Sequence, residues 1–120
     1  MKDEIVIVDG LRSPIAKANG VLNDLSTENL GAIITKELVL KTQIPYDMFD
    51  EVIIGNVAQP ANAANIARVI SVKAGLPQSI PAYTVHRNCA SGMQAISSAI
   101  EKIKSDQGRL YLVGGVESMS

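Results

Sequence analysis

Tyr83-Thr84-Val85-His86-Arg87-Asn88-Cys89-Ala90-Ser91-Gly92-Met93-Gln94-Ala95-Ile96 decides how this chain reads, because its one cysteine falls there at a change of pattern. The β-branched part reads as a strand, and the small residues after it open a helix. That spacing predicts the Cys89 sulfur in the first helical turn, where unpaired N–H groups and the macrodipole favour a negative charge. Cysteines so placed ionise readily, and the thiolate is the species that attacks carbonyl carbon. A lone cysteine also reads as a small buried hydrophobe. On placement alone the two readings balance.

Working outward, the chain alternates. Ile5-Val6-Ile7-Val8 is apolar without a polar face, the pattern of a strand covered on both sides. Ser26 reads as the N-cap of a helix with Leu25 and Leu30 as a staple, and Leu30, Ile33, Ile34 and Leu38 form its apolar stripe. Pro45 ends it, and a second apolar strand is predicted around Val52 to Val57. A helix beginning at Asn65 closes at Gly75, ahead of Pro77. The third strand lies near Ala82 to His86, the third helix from about Cys89 to Lys104, and the fourth strand at Leu110 to Val113. This β-α-β-α-β-α-β order calls for an α/β fold with a mostly parallel sheet and right-handed crossovers. The third helix is crowded with Ala90, Ser91, Gly92, Ala95, Ser97, Ser98 and Ala99. Small residues all round predict close neighbours on both sides.

Composition narrows the function. With 120 residues the chain is one domain or part of one, and 47% hydrophobic content excludes disorder. A formal net charge of −1, with charges spread evenly, offers no footprint for nucleic acid and no basic membrane patch. One cysteine forms no internal disulfide, which fits a reducing, cytoplasmic setting. The start Met1-Lys2-Asp3-Glu4 runs straight into the first predicted strand, leaving no room for a targeting peptide. No apolar run approaches the ~18 residues of a membrane helix.

The flanks of Cys89 add a resemblance. Asn88-Cys89-Ala90-Ser91-Gly92-Met93-Gln94-Ala95-Ile96 resembles the nucleophile segment of the thiolases. Val8-Asp9-Gly10-Leu11-Arg12-Ser13-Pro14-Ile15, Asp50-Glu51-Val52-Ile53-Ile54-Gly55-Asn56-Val57 and Val113-Gly114-Gly115-Val116-Glu117-Ser118-Met119-Ser120 resemble three more family stretches in the family's order. The likeness spans the chain but covers only the opening part of a thiolase. It implies that residues 1–120 are a partial N-terminal domain of an α-β-α-β-α fold, incomplete as given, with the C-terminal half lying outside them.

The resemblance also implies an activity. Cys89 would be acylated by an acyl-CoA, and the acyl group passed on to CoA, cleaving a 3-ketoacyl-CoA or, in reverse, condensing two acetyl-CoA. The Cys89 N–H is expected to donate to the oxyanion. CoA and acyl-CoA are then substrates, with no cofactor and no metal, and Cys89 is the one site residue carried over. The family's general base, in a Gly-His-Pro motif, and its second cysteine have no counterpart here, so the isolated chain is expected to be inactive. His86 is the sole histidine, and it reads as a packed or hydrogen-bonded strand histidine ahead of a base partner in a dyad with Cys89. Arg68 reads as an ion-paired or solvated helix residue ahead of a phosphate or carboxylate partner, and Gly114-Gly115 as a turn or a site of close approach to substrate or a neighbouring segment. The family also implies homo-oligomers paired through the strand before Cys89. Two other readings stand beside this one: a non-catalytic fragment or interaction module, and a ketoacyl-synthase-like member of the same superfamily.

Overall fold

The computed structural model describes residues 4–120. Helix α1 spans Thr27–Thr42 and a 3₁₀ turn Tyr46–Met48; strand β1 follows at Glu51–Gly55, helix α2 at Ile66–Lys73 and strand β2 at Ala82–Val85. Helix α3 runs Ser91–Lys104 and strand β3 Tyr111–Gly115. The sheet order is β2-β1-β3, and both pairings are parallel, Ile53 lying opposite Tyr83 on one side and Val113 on the other. β1 is therefore the central strand, and β2 lies at an edge.

Side-chain alternation along β1 builds two cores. Val52 and Ile54 face the layer of α1 and α2, where Val39, Ile66 and Ile70 are buried with them. Ile53 faces α3 and packs on Ala95 and Ala99. Covered on both faces, the apolar run Val52-Ile53-Ile54 has less than 5% exposure anywhere.

Local chemistry sets the boundaries. Ser26 caps α1 by accepting the Asn29 N–H at 3.2 Å, and Gln43 ends the helix in a left-handed conformation. Gly75, at φ 95°, turns the chain out of α2. Asp50 fastens the start of β3 to that of β1, its carboxylate accepting the Arg109 and Leu110 N–H groups at 2.7 and 3.0 Å. Those two bonds hold the Asp50 carboxyl below its ordinary pKa. At the far end of α3, Lys102 donates to Glu51 at 2.6 Å and lies 5.0 Å from the Tyr83 ring centre. The Glu51 bond is the main cause that raises the Lys102 pKa.

Three expectations shift. Ile5 to Val8 forms no strand: Val6, Ile7 and Val8 are exposed, and a cavity of about 420 Å³ separates this segment from β3. An apolar run signals a need for neighbours, but a strand forms only where a partner backbone is close enough to complete a ladder. On α1 the period is right and the phase is not. The buried face is Ala32, Thr35 and Val39, while Ile33 is half exposed and Leu30, Ile34 and Leu38 border a second cavity of about 500 Å³. Here small residues win the contact, because Ile70 of α2 presses against Gly31. α3 behaves alike: Ser91, Ala95 and Ala99 face the sheet, whereas Met93 is 66% exposed, so one face is covered among the described residues rather than both.

Candidate active site

β2 ends at Val85, and the next five residues make the turn that carries Cys89. α3 starts at Ser91, two residues later than the sequence suggests, so Cys89 stands just ahead of the first helical turn, exposed. Backbone bonds draw the turn tight: Ala90 N–H donates to Arg87 O at 3.0 Å and Ser91 N–H to Asn88 O at 3.2 Å. Asn88 adopts φ 48°, which asparagine tolerates better than most side chains. His86 is exposed past the strand end, and its Nδ1 accepts the Asn88 N–H at 3.3 Å. The histidine is thus hydrogen-bonded to backbone and forms no dyad with Cys89.

The turn rests on glycines. A Cβ on Gly55 would land on the Ser91 carbonyl and 2.6 Å from Gly92 N, and one on Gly115 would stand 3.1 Å from Gly92 Cα. Without side chains at Gly55, Gly92 and Gly115, the start of α3 lies directly on the carboxyl ends of β1 and β3. Of the Gly114-Gly115 pair, Gly115 therefore makes the close approach, and it makes it to a neighbouring segment, whereas a Cβ on Gly114 would meet only the end of Ile54 at 3.6 Å.

Asn56 and Glu117 belong to the stretches that carry the family resemblance, and spacing assigns neither a role. Glu117, just beyond β3, accepts the Val57 and Ala58 N–H groups at 3.0 and 2.6 Å, and Asn56 Nδ2 at 3.2 Å. Asn56 is fully buried; its Nδ2 also donates to Val116 O at 2.8 Å, while its Oδ1 has no partner among the described residues. One carboxylate thus ties the exit of β1 to that of β3 beside the glycine floor. The signal was out of reach of spacing, because the partners are about sixty residues apart. Glu117→Ala leaves those amides without their acceptor. A loss of about 1–3 kcal/mol in urea unfolding is expected, and a change under about 0.5 kcal/mol, the scale of an ordinary surface substitution, would contradict it.

Arg68 turns inward to structure: it donates to Ile80 O and Gln78 O, each at 2.9 Å, tying α2 to the segment before β2. Among the described residues no group of acidic, histidine and cysteine side chains is placed to hold a metal. No helix among them is long and apolar enough to cross a membrane.

What the arrangement offers chemically is an exposed thiol at the carboxyl end of a parallel sheet, the end at which open α/β sheets bind ligands. Comparison with known proteins agrees in sequence and in shape. Residues 5–120 match the family model described as the thiolase N-terminal domain. A Staphylococcus epidermidis protein named "Probable acetyl-CoA acyltransferase" is 35% identical over 116 residues, covering 97% of this chain and 29% of its own length. A Staphylococcus aureus protein of the same name is 36% identical over 116 residues, 97% of this chain and 30% of its own. The crystal structure of the Bacillus anthracis acetyl-CoA acetyltransferase superposes with a TM-score of 0.85 at 36% identity, over 89% of this chain and 27% of that one. The chain therefore spans under a third of the length of these relatives. With nearly every residue inside the family's N-terminal model and the same fold in a solved relative, the chain belongs to the thiolase family.

Proposed function

We propose that these 120 residues are the N-terminal portion of an acyl-CoA C-acyltransferase, in which Cys89 accepts the acyl group. The observation that carries this reading is the exposed Cys89 in a turn pinned to the carboxyl ends of the sheet. The relatives' names supply the substrate class, CoA thioesters.

The Cys89 thiolate attacks the keto carbon of a 3-ketoacyl-CoA, and the carbonyl electron pair moves to oxygen. As the carbonyl re-forms, the bond between the α and β carbons breaks. Its electron pair stays on the α carbon, which takes a proton and leaves as acetyl-CoA. The acyl group remains on sulfur until the thiolate of a second CoA attacks it and frees Cys89. Backbone N–H groups at the turn, that of Cys89 first, serve the oxyanion in both halves. Two half-reactions through a thioester give ping-pong kinetics.

Proton transfer needs groups from elsewhere. The chain has one histidine, whose Nδ1 is already engaged, and one cysteine. The isolated 120 residues should therefore show no turnover, while the complete polypeptide turns over and pairs with a second copy through the β2 edge. Acetyl-CoA is mixed with each form, and peptides are mapped by mass spectrometry. The adduct is expected on Cys89 of the complete polypeptide, with acetoacetyl-CoA cleavage by that form only and a dimer or larger species by light scattering. An adduct elsewhere would refute the nucleophile; turnover above ~1 s⁻¹ by the isolated chain would refute the missing base; a monomer would refute the pairing.

A further inference from the structure

Ser91 is only 4% exposed, yet its hydroxyl is bonded on both sides within the turn that carries Cys89. Its oxygen accepts the Arg87 N–H at 2.7 Å, and its O–H donates to the Asn88 carbonyl at 2.7 Å. The hydroxyl thus spans Cys89, gripping the two residues before it from the residue two after it. The Ser91 backbone is itself the part of the turn that lies on Gly55. One residue therefore joins the strand exit, the helix start and the sheet floor, with the cysteine between its grips.

The geometry points to Ser91 as the positioning residue of the nucleophile: its hydroxyl sets where the Cys89 sulfur and N–H stand relative to the incoming thioester. This rests on the reading of Cys89 as the acyl acceptor. Ser91 touches no substrate in this role and acts through the turn. Without the hydroxyl, Arg87 N–H and Asn88 O lose their shared partner, and the left-handed Asn88 loses one of the bonds that hold it. The turn then samples other shapes, and the attacking geometry is realised less often.

The test is single-turnover acetylation of Cys89 by acetyl-CoA in the complete polypeptide, followed by quenched mass spectrometry over a range of acetyl-CoA concentrations. Ser91→Ala is expected to lower the limiting acylation rate ~10–100-fold, the scale of an ångström-sized misplacement. The concentration giving half the limiting rate should move by less than about three-fold, because the binding surface is unchanged. Ser91→Thr, which keeps the hydroxyl, should return the rate to within about five-fold of wild type. A Ser91→Ala protein that acylates at the wild-type rate, or a Ser91→Thr protein as slow as Ser91→Ala, would overturn the assignment. Should Ser91→Ala fail to fold, Ser91→Thr decides alone: a rate within about five-fold of wild type upholds the hydroxyl's role, and a slower one overturns it. A wild-type protein that takes no acetyl group on Cys89 would overturn the functional reading and this one with it, whereas normal wild-type acylation beside an unimpaired Ser91→Ala overturns Ser91 alone.

Discussion

Cys89→Ala in the complete polypeptide is expected to lower thiolysis by at least about four orders of magnitude, the scale on which removing a covalent nucleophile acts. The fold should not notice. Cys89 is exposed, so its loss opens no cavity, and stability should stay within about 0.5 kcal/mol of wild type. Cys89→Ser should lose most activity too, since a hydroxyl ionises far less readily than a thiol and an ester leaves less well than a thioester. The measurement is a coupled assay of acetoacetyl-CoA cleavage beside a urea melt. Activity above about one per cent of wild type in Cys89→Ala would refute the covalent role, because no uncatalysed attack by CoA reaches that level.

The second large effect is expected from a residue with no side chain. Gly55→Ala drives a methyl group into the Ser91 carbonyl and against Gly92 N, all of it backbone that cannot rotate aside. α3 must lift from the sheet, which should cost ~3 kcal/mol in unfolding experiments, the upper range of overpacking. Because Cys89 stands two residues before Ser91, acylation should slow by roughly 100-fold as well. Gly10 supplies the control. Nothing lies within 4 Å of a Cβ built there, so Gly10→Ala should change stability by less than about 0.5 kcal/mol. Equal behaviour of the two variants would show that the close approach at Gly55 has no energetic weight.

Much of the layout was legible in the sequence, for identifiable reasons. From α1 onward the order of elements follows from breakers and caps: Ser26, Pro45, Gly75 and Pro77 punctuate the chain where the helices start or stop. β1 was readable because burial on both faces leaves an unbroken apolar run. The segment Ile5 to Val8 carries the same signature without the outcome, because residue type reports the surroundings a segment suits and not whether they are at hand. Phase was harder than period. On α1 the large side chains carry the period, yet Ala32 makes the contact, and on α3 the small residues that suggest two covered faces pack on one, through Ala95 and Ala99, since small residues permit the shorter distance between elements.

The candidate site divides the same way. Cys89 could be singled out from its neighbours in sequence, although the helix begins two residues beyond it. Ser91 could not, because a serine at a helix start signals capping and says nothing about reaching back across the preceding turn. Asn56 and Glu117 join loops that meet only after the sheet has formed, so no local pattern announces them.

The register of the sheet imposes a timetable on that cysteine. β3 pairs with β1 across two intervening helices and the whole of β2, Gly55 meeting Gly115. Contacts so distant along the chain pay their closure entropy before they return any stability, and tend to form late. The thiol is thus translated well before the surface beneath it can be completed. Gly55 and Gly115 together lie under Ser91 and Gly92, so the floor of the Cys89 turn is finished only once β3, which follows the cysteine by some twenty-five positions, has docked.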